Sequence, residues 1–243
     1  MKRNMKRFVA PRSWPIERKT HFWAVKPRPG PHPADRSLPL LVVLRDLLGV
    51  TSTASEARKI LSQGQVVVDG VVRKDRKFPV GLMDVIFLPK VKKFYRVFLD
   101  HHGRIILKEI DDTEARWKLC RIEKKMTVKG GRTQITLHDG RNILLPPGNV
   151  PYKTGDVLKI AFPSQEILEH LPFREGMTAY LIGGNHVGEI AKIKSYEVTR
   201  SPFPNVVNFQ EGFSTIKDYV FIVGGKTPVL SLPEVKVMEK EVA

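Results

Sequence analysis

Ser55-Glu56-Ala57-Arg58-Lys59-Ile60-Leu61-Ser62-Gln63-Gly64-Gln65-Val66-Val67-Val68-Asp69-Gly70 passes from helical spacing to a strand pattern at a single glycine. Thr53, just ahead of it, and Glu56 within it have the spacing of a capping box. Ala57, Ile60 and Leu61 fall on one face of the helix that such a box opens, and Gly64 supplies its stop. The three valines, the turn pair Asp69-Gly70 and then Val71-Val72 predict a β-hairpin, because Asp and Gly both tolerate the positive φ of a two-residue turn. On the amino-terminal side, Leu40, Leu41, Leu44, Leu47 and Leu48 predict an earlier helix with Ser37 as cap, Pro39 in its first turn and Gly49 as stop. A strand at residues 84–88 completes a small α/β unit.

The segment before this unit has a different character. Lys2, Arg3, Lys6, Arg7, Arg12, Arg18, Lys19, Lys26, Arg28 and Arg36 face only Glu17 and Asp35, a net of +8 within residues 1–36 and half of the chain's +16. That balance points to a polyanionic partner. Prolines at 11, 15, 27, 29, 31, 33 and 39 block both a long helix and a sheet ladder, so an extended arm is expected. Trp14, Phe22 and Trp23 lie among the charges, where rings can stack on bases or dock on a neighbour.

Beyond the α/β unit the chain reads as short strands at 95–99, 104–110, 118–128, 132–137, 142–145 and 157–161, with turns at Gly103, Gly130-Gly131, Asp139-Gly140 and Gly155-Asp156. Residues 164–171 read as a helical turn or two at a boundary. Strands follow at 178–182, 187–193, 195–200, 206–209 and 219–223, then a tail from about Leu232. Density of this kind predicts two small antiparallel barrels.

The quoted stretch resembles the RNA-binding fold named after small-subunit ribosomal protein four. Arg58, Lys59, Gln63 and Gln65, continued by Arg73, Lys74, Arg76 and Lys77, would gather cationic and amide donors on one edge suited to the phosphates and sugars of folded RNA. Pro39 stands where that family often has arginine, and Met83 where it usually has glycine. Residues 176–193, Gly-Met-Thr-Ala-Tyr-Leu-Ile-Gly-Gly-Asn-His-Val-Gly-Glu-Ile-Ala-Lys-Ile, resemble a KOW motif, with Gly184, Asn185, His186 and Gly188 in its loop and Val187, Ile190 and Ile193 as core. A basic proline-containing arm, the RNA-binding unit, a strand-rich middle and the KOW-like unit, in this order, resemble the small-subunit ribosomal protein family S-four-e, and the length favours its archaeal branch.

The resemblance implies an α+β multidomain chain: a basic extended arm (1–37), a small α/β RNA-binding domain (38–92), a central β-rich domain (93–171) and a KOW-containing barrel with its tail (172–243). It implies a cytoplasmic, structural constituent of the small ribosomal subunit. Its partners would be small-subunit ribosomal RNA and neighbouring small-subunit ribosomal proteins, with no cofactor and no small-molecule substrate.

The residues themselves offer little for catalysis. His21, His32, His101, His102, His138, His170 and His186 show no metal-ligand spacing, and Cys120, the single cysteine, is expected to pack as a small apolar side chain, so no metal is expected. His101 and His102 would point to opposite faces at a hairpin end. Residues 183–188 lack the lysine and hydroxyl residue of a phosphate loop. Asp111 and Asp112, beside Glu109 and Glu114, read as a solvated turn rather than an acid–base pair. No Gly-Arg-Leu-Asp context supports a pseudouridine synthase, and hairpin signals oppose a methyltransferase sheet. A KOW-bearing transcription factor is the other alternative, opposed by the amino-terminal RNA-binding unit. Residues 1–36 hold no apolar run of signal-peptide length, and no later run suits a membrane span, so neither export nor a membrane is expected.

Overall fold

The computed structural model describes residues 5–148, 150–200 and 202–233. The proline-rich segment does not extend away from the molecule. Its strand β1 (Met5–Lys6) pairs antiparallel with β2 (Trp23–Ala24), and a 3-10 turn at Arg7–Val9 lies between them. Ala10 and Trp14 are buried in one core with Leu38, Leu40, Leu44, Leu61, Val66 and Ile86. The expected extended arm is thus corrected to a folded strap. Proline forbids long regular ladders, but it does not forbid docking of a tryptophan, which removes a large apolar surface from water.

The α/β unit opens with β3 (Ser37–Pro39), paired with the later segment Pro79–Gly81, and only then enters helix α1 (Leu40–Val42), prolonged by a wider π-type turn at Val43–Leu47. Ser37 therefore belongs to a strand, its hydroxyl donates to the Pro33 carbonyl, and Pro39 is the residue before the helix rather than one within its first turn. Leu40 to Leu44 are all buried, so this helix is enclosed on every side. Helix α2 (Ala54–Ser62) carries the expected capping box, with Glu56 N donating to Thr53 Oγ1 at 3.2 Å and Thr53 N donating back to Glu56 Oε2 at 3.4 Å. It buries Ala57 and Leu61 and stops at Gly64, whose φ is 72°.

The hairpin β4 (Val67–Val68) and β5 (Val71–Val72) turns at Asp69 and Gly70, with φ of 50° and 76°. After β6 (Pro79–Gly81) come β7 (Val85–Leu88), β8 (Lys93–Leu99) and β9 (Ile105–Ile110), giving one antiparallel sheet in the order β5-β4-β7-β8-β9. The domain boundary expected at residue 92 therefore falls inside a sheet: β7 and β8 are hydrogen-bonded neighbours. Met83, at the position where glycine is usual, adopts φ 66° and is fully buried. An L-residue there costs about 1–2 kcal/mol of backbone strain, which burial of the thioether side chain offsets.

A short helix α3 (Asp112–Ala115) leads into β10 (Trp117–Thr127), β11 (Thr133–Leu137), β12 (Asn142–Leu145), β13 (Val157–Ala161) and β14 (Ile167–Leu171), ordered β12-β11-β10-β13-β14. The helical turn expected within 164–171 is corrected to strand β14, which pairs with β13 through a bulge. The last sheet comprises β15 (Thr178–Leu181), β16 (Ile190–Glu197), β17 (Val206–Phe209), β18 (Ser214–Ile216) and β19 (Val220–Gly224), with β19 returning to lie beside β15. Strands expected separately at 187–193 and 195–200 are one strand with a bulge between Ile193 and Ser195. Its core takes in Met83, Phe98, Leu119 and Val157, so the units pack on one another. No helix among the described residues is long and apolar enough to cross a membrane.

Candidate nucleic-acid interface

Lys2 and Arg3 lie outside the described residues. Of the other strap cations, Lys6, Arg12, Lys19 and Arg28 are exposed and Lys26 is half-buried. Lys6 Nζ sits 5.4 Å from the Phe22 ring centroid, and Phe8, Val9, Phe22 and Trp23 are all more than half exposed beside it. Arg7 and Arg18 are different. Arg7 is 4% exposed, donates to the Glu17 carbonyl and lies 3.9 Å from Asp46. Arg18 donates to the carbonyls of Phe8 (3.0 Å), Ala10 (2.8 Å) and Pro11 (3.0 Å), satisfying acceptors that the proline-interrupted backbone cannot pair with itself. Both expected RNA ligands thus make internal contacts: Arg7 is buried, while Arg18 is half-buried and fastens the strap with three of its donors.

Helix α2 buries Ala57 and Leu61 and so leaves Arg58 and Lys59 exposed on its other faces. Gln63 is exposed beside them, and Gln65 Nε2 donates to Gln63 Oε1 at 2.7 Å. Lys74 reaches the end of this helix: a Cβ on Gly64 would lie 3.9 Å from Lys74 Cε. Arg73 lies over the Phe78 ring at 4.4 Å, while Arg76 and Lys77 are half-buried. The strap joins the same run, since Arg28 N donates to the Lys77 carbonyl at 2.9 Å and the Arg28 guanidinium pairs with Asp75 at 2.9 Å. Strap, helix end and the Arg73–Lys77 run are thus brought to one side by backbone bonds.

Behind this surface lies a charge cluster that no local pattern announces. Lys118, on β10, is fully buried and its Nζ meets Asp69 at 2.8 Å, Asp84 at 2.6 Å and Asp139 at 3.0 Å. Arg141 also pairs with Asp69 at 2.7 Å and with Asp139 at 3.1 Å, and His32 of the strap meets Asp84 at 3.0 Å. Asp69 Oδ1 further accepts from Val85 N at 2.9 Å. Burial alone would lower Lys118, but Asp69 and Asp84 raise it well above its ordinary value. Burial works against ionisation of Asp84 too, yet His32 and Lys118 hold it far below the carboxylate range. Asp139 is likewise held low, by Lys118, His138 and Arg141 against burial. Burial pushes Asp69 up, against the pull of Lys118 and with Asp84 adding to the rise. The cluster joins strap, hairpin turn, the β6–β7 connection and the central sheet. An isolated Asp-Gly turn or a lysine in a strand carries no sequence signal of such a role.

The residues 183–188 do not form a cationic loop. His186 Nδ1 meets Glu189 at 2.9 Å, and its ring stacks on Phe213 with centroids 4.0 Å apart. Gly184 and Asn185 are exposed, while Gly188 is buried against the β8–β9 turn, where a Cβ would lie 2.7 Å from the Asp100 carbonyl carbon. Tyr180 completes this contact: its hydroxyl donates to the Leu99 carbonyl at 2.5 Å and accepts from Leu99 N at 3.0 Å. His101 and His102 occupy that turn, not an extended strand, so their rings lie 3.9 Å apart instead of on opposite faces, and His101 pairs with Asp100. The acidic run is also engaged, Glu109 with Lys93 and Asp112 with Arg116. Cys120 is fully buried, and burial raises its thiol well above the ordinary value.

A capped helix, a valine hairpin turning at Asp69-Gly70 and a cationic edge together define an S4-domain protein, and the S4 domain family matches residues 38–86. Two further families flank and follow it, the RS4NT (NUC023) domain over residues 1–35 and Ribosomal family S4e over residues 91–167. The small ribosomal subunit protein eS4 of Methanothermobacter thermautotrophicus is 48% identical over 236 residues, covering 96% of each chain. That of Methanocaldococcus jannaschii is 47% identical, covering 95% of this chain and 98% of its own. The crystal structure of the 30S ribosomal protein S4e from Thermoplasma acidophilum superposes with a TM-score of 0.69 at 37% identity, covering 79% of this chain and 96% of that one. The chain belongs to the ribosomal protein S4e family.

Proposed function

We propose that this chain is a structural constituent of the small ribosomal subunit, bound to small-subunit ribosomal RNA and touching neighbouring small-subunit ribosomal proteins, and that it is not an enzyme. One observation carries the reading of its main surface: the strap is bonded to the Arg73–Lys77 run through Arg28 and Lys77, beside the exposed Arg58 and Lys59 of α2. Lys6, Arg12 and Lys19, also exposed on the strap, supply attraction to phosphates, while the α2 edge supplies shape. The exposed rings of Phe8, Phe22 and Trp23 suit a stacked base or a neighbouring protein. His186, paired with Glu189, and Gly188, packed on the β8–β9 turn, serve the internal joint between sheets, which leaves Gly184 and Asn185 as the outward part of their loop.

Phosphate contacts dominate such binding, so with about six to ten of them the log–log salt slope is roughly −4 to −9. Truncation of the strap would remove Trp14 from the core, so charge substitutions are the cleaner probe. R58A/K59A weakens binding to small-subunit ribosomal RNA with unchanged thermal unfolding. In cell lysate the chain sediments with small subunits after a high-salt wash. Sedimentation free or with RNA polymerase refutes the reading.

A further inference from the structure

The central sheet carries a second cationic surface that belongs neither to the strap nor to α2. Strand β10 runs for 11 residues, but β13 pairs only with its first half, Trp117 to Arg121. The second half continues beyond that support, paired on one side with β11 through Lys124↔Thr136, Lys125↔Ile135, Met126↔Gln134 and Thr127↔Thr133. Val128 N donates to the Arg132 carbonyl at 2.8 Å, and Gly130 and Gly131, with φ of 82° and 68°, close the tip. At about 3.3 Å per residue, the strand from Lys124 to Thr127 spans roughly 10 Å, and Lys129 lies beyond it in the turn.

The charge on this tongue is of one sign. From Lys124 to Gly155 the sequence contains a single carboxylate, Asp139, which is 3% exposed and held by Lys118 and Arg141. Glu123, at the base, is taken by Arg121 in a two-pronged pair at 2.9 and 2.7 Å. Lys125 is spent internally, donating to the carbonyls of Val150 and Tyr152 at 2.9 and 3.0 Å. Lys124, Lys129 and Arg132 are exposed, and no ion pair or side-chain hydrogen bond among the described residues engages them. Side chains opposite one another across strands share a face. The face of Lys124 and Met126 therefore also carries Gln134, Asn142 and Leu144, with Met126 47% and Leu144 48% exposed.

We propose that the β10–β11 hairpin is a second RNA-binding element, in which Lys124, Lys129 and Arg132 hold the phosphodiester backbone of a helical RNA segment. The proposal rests on the reading that the chain binds small-subunit ribosomal RNA, and adds a contact on a separate surface. Cations spread along the projecting end of the β10–β11–β12 ribbon, with no exposed acid among them, match a line of phosphates. The amides of Gln134 and Asn142 and the apolar Met126 and Leu144 suit ribose hydroxyls and sugar edges in the shallow minor groove of A-form RNA, which is read by shape.

The test compares full-length K124A/K129A/R132A with wild type in binding to small-subunit ribosomal RNA over a salt series, together with hydroxyl-radical footprinting. Loss of three phosphate contacts flattens the log–log slope by about 2 to 3 and weakens binding about tenfold or more at about 0.1 M salt. One protected RNA patch disappears while the patch sensitive to R58A/K59A remains. K124R/K129R/R132K keeps the slope. The tip pair K129A/R132A lies outside the strand ladder and gives a smaller loss in the same direction if the triple variant melts early. An unchanged slope in the hairpin variants, with R58A/K59A still impaired, overturns the hairpin proposal and leaves the wider reading standing. No loss in any of these variants overturns both. An equal loss in K90A/K92A/K226A, which removes the same charge elsewhere, overturns the assignment to the hairpin, as does loss of subunit incorporation with binding to naked RNA intact, which points to a protein partner.

Discussion

Replacing Lys118 by Met tests the physical basis of the whole assembly. Methionine keeps the apolar stem and volume of the side chain, so the change removes charge without opening a cavity. The ammonium lies 2.8 Å from Asp69, 2.6 Å from Asp84 and 3.0 Å from Asp139. At an effective dielectric of about 20, one such pair at 2.8 Å is worth about 6 kcal/mol before the desolvation of the ammonium is set against it. Removing one partner of a buried ion pair costs about 3–5 kcal/mol, because the remaining charge is left uncompensated in the interior. For a chain of this size that corresponds to a fall in Tm of roughly 6–20 °C. The residual pull of Arg141 and His32 keeps the estimate at that level rather than three times higher.

The pH dependence separates this account from a loss of packing. In the wild type, Asp84 and Asp139 have depressed folded-state pKa values, so their contribution is present above the unfolded carboxylate range near pH 4 and is lost as pH falls below it. Asp69 is raised and partly offsets this loss. In K118M all three carboxyls sit in the interior without the ammonium, their pKa values rise, and the variant recovers stability relative to wild type as it takes up protons. Urea unfolding, followed by circular dichroism and by the fluorescence of Trp117 next to the substitution, should show a gap of about 3–5 kcal/mol at pH 7 that at least halves by pH 4. A gap under about 1 kcal/mol at pH 7, or one that stays constant with pH, would show that the buried charges do not hold the units together.

Three further outcomes are expected. His138 is neutral in the fold, its Nδ1 accepting from Arg121 N and its Nε2 donating to the Leu82 carbonyl, and burial with nearby Lys118 lowers it to about 3; because the unfolded chain protonates below about pH 6.5, stability falls with pH down to about 3 by up to about 1.4 kcal/mol per unit, and H138Q should flatten that part of a stability–pH profile. Gly188→Ala should cost about 1–2 kcal/mol more than Gly176→Ala in chemical denaturation, since the two positions share φ near 80° but only Gly188 has another backbone within 3 Å. Arg18→Ala should lower stability by about 2 kcal/mol with little change in RNA affinity, while Arg12→Ala should leave stability within about 0.5 kcal/mol and weaken RNA binding, as paired melts and salt titrations would show.

The parts of the fold written in short-range pattern were legible. The capping box at Thr53 and Glu56, the stop at Gly64 and the turn at Asp69-Gly70 depend on residues within a few positions of one another, and all three form as their chemistry requires. What escaped was set by distant partners. Ser37 is an acceptable cap by type, but pairing of residues 37–39 with 79–81 claims it for a strand. Residues 164–171 are short and mixed, and the neighbouring β13 decides their state. Of the proposed binding surface, the exposure of Arg58, Lys59 and Lys74 could be read from a patterned helix and hairpin. The roles of Arg7 and Arg18 could not, since nothing local tells whether a guanidinium will meet a phosphate or three carbonyls of its own chain.

That distinction changes what the basic strap means. An arginine whose donors are spent on carbonyl oxygens keeps its charge, because a carbonyl does not neutralise it. Arg18 therefore still contributes to the long-range positive field that draws a polyanion in, but three of its five N–H donors are committed to its own chain and only two are left for a specific contact. The net of +8 in residues 1–36 thus overstates the phosphates that the strap can bind while describing its field correctly. The reverse holds around Lys124, Lys129 and Arg132, where a smaller local charge is carried on donors that are all free among the described residues, on a stretch whose one acid is buried. Contact number, and with it the salt slope, follows free donors rather than formal charge, so the central hairpin can matter to binding more than its share of the basic residues suggests.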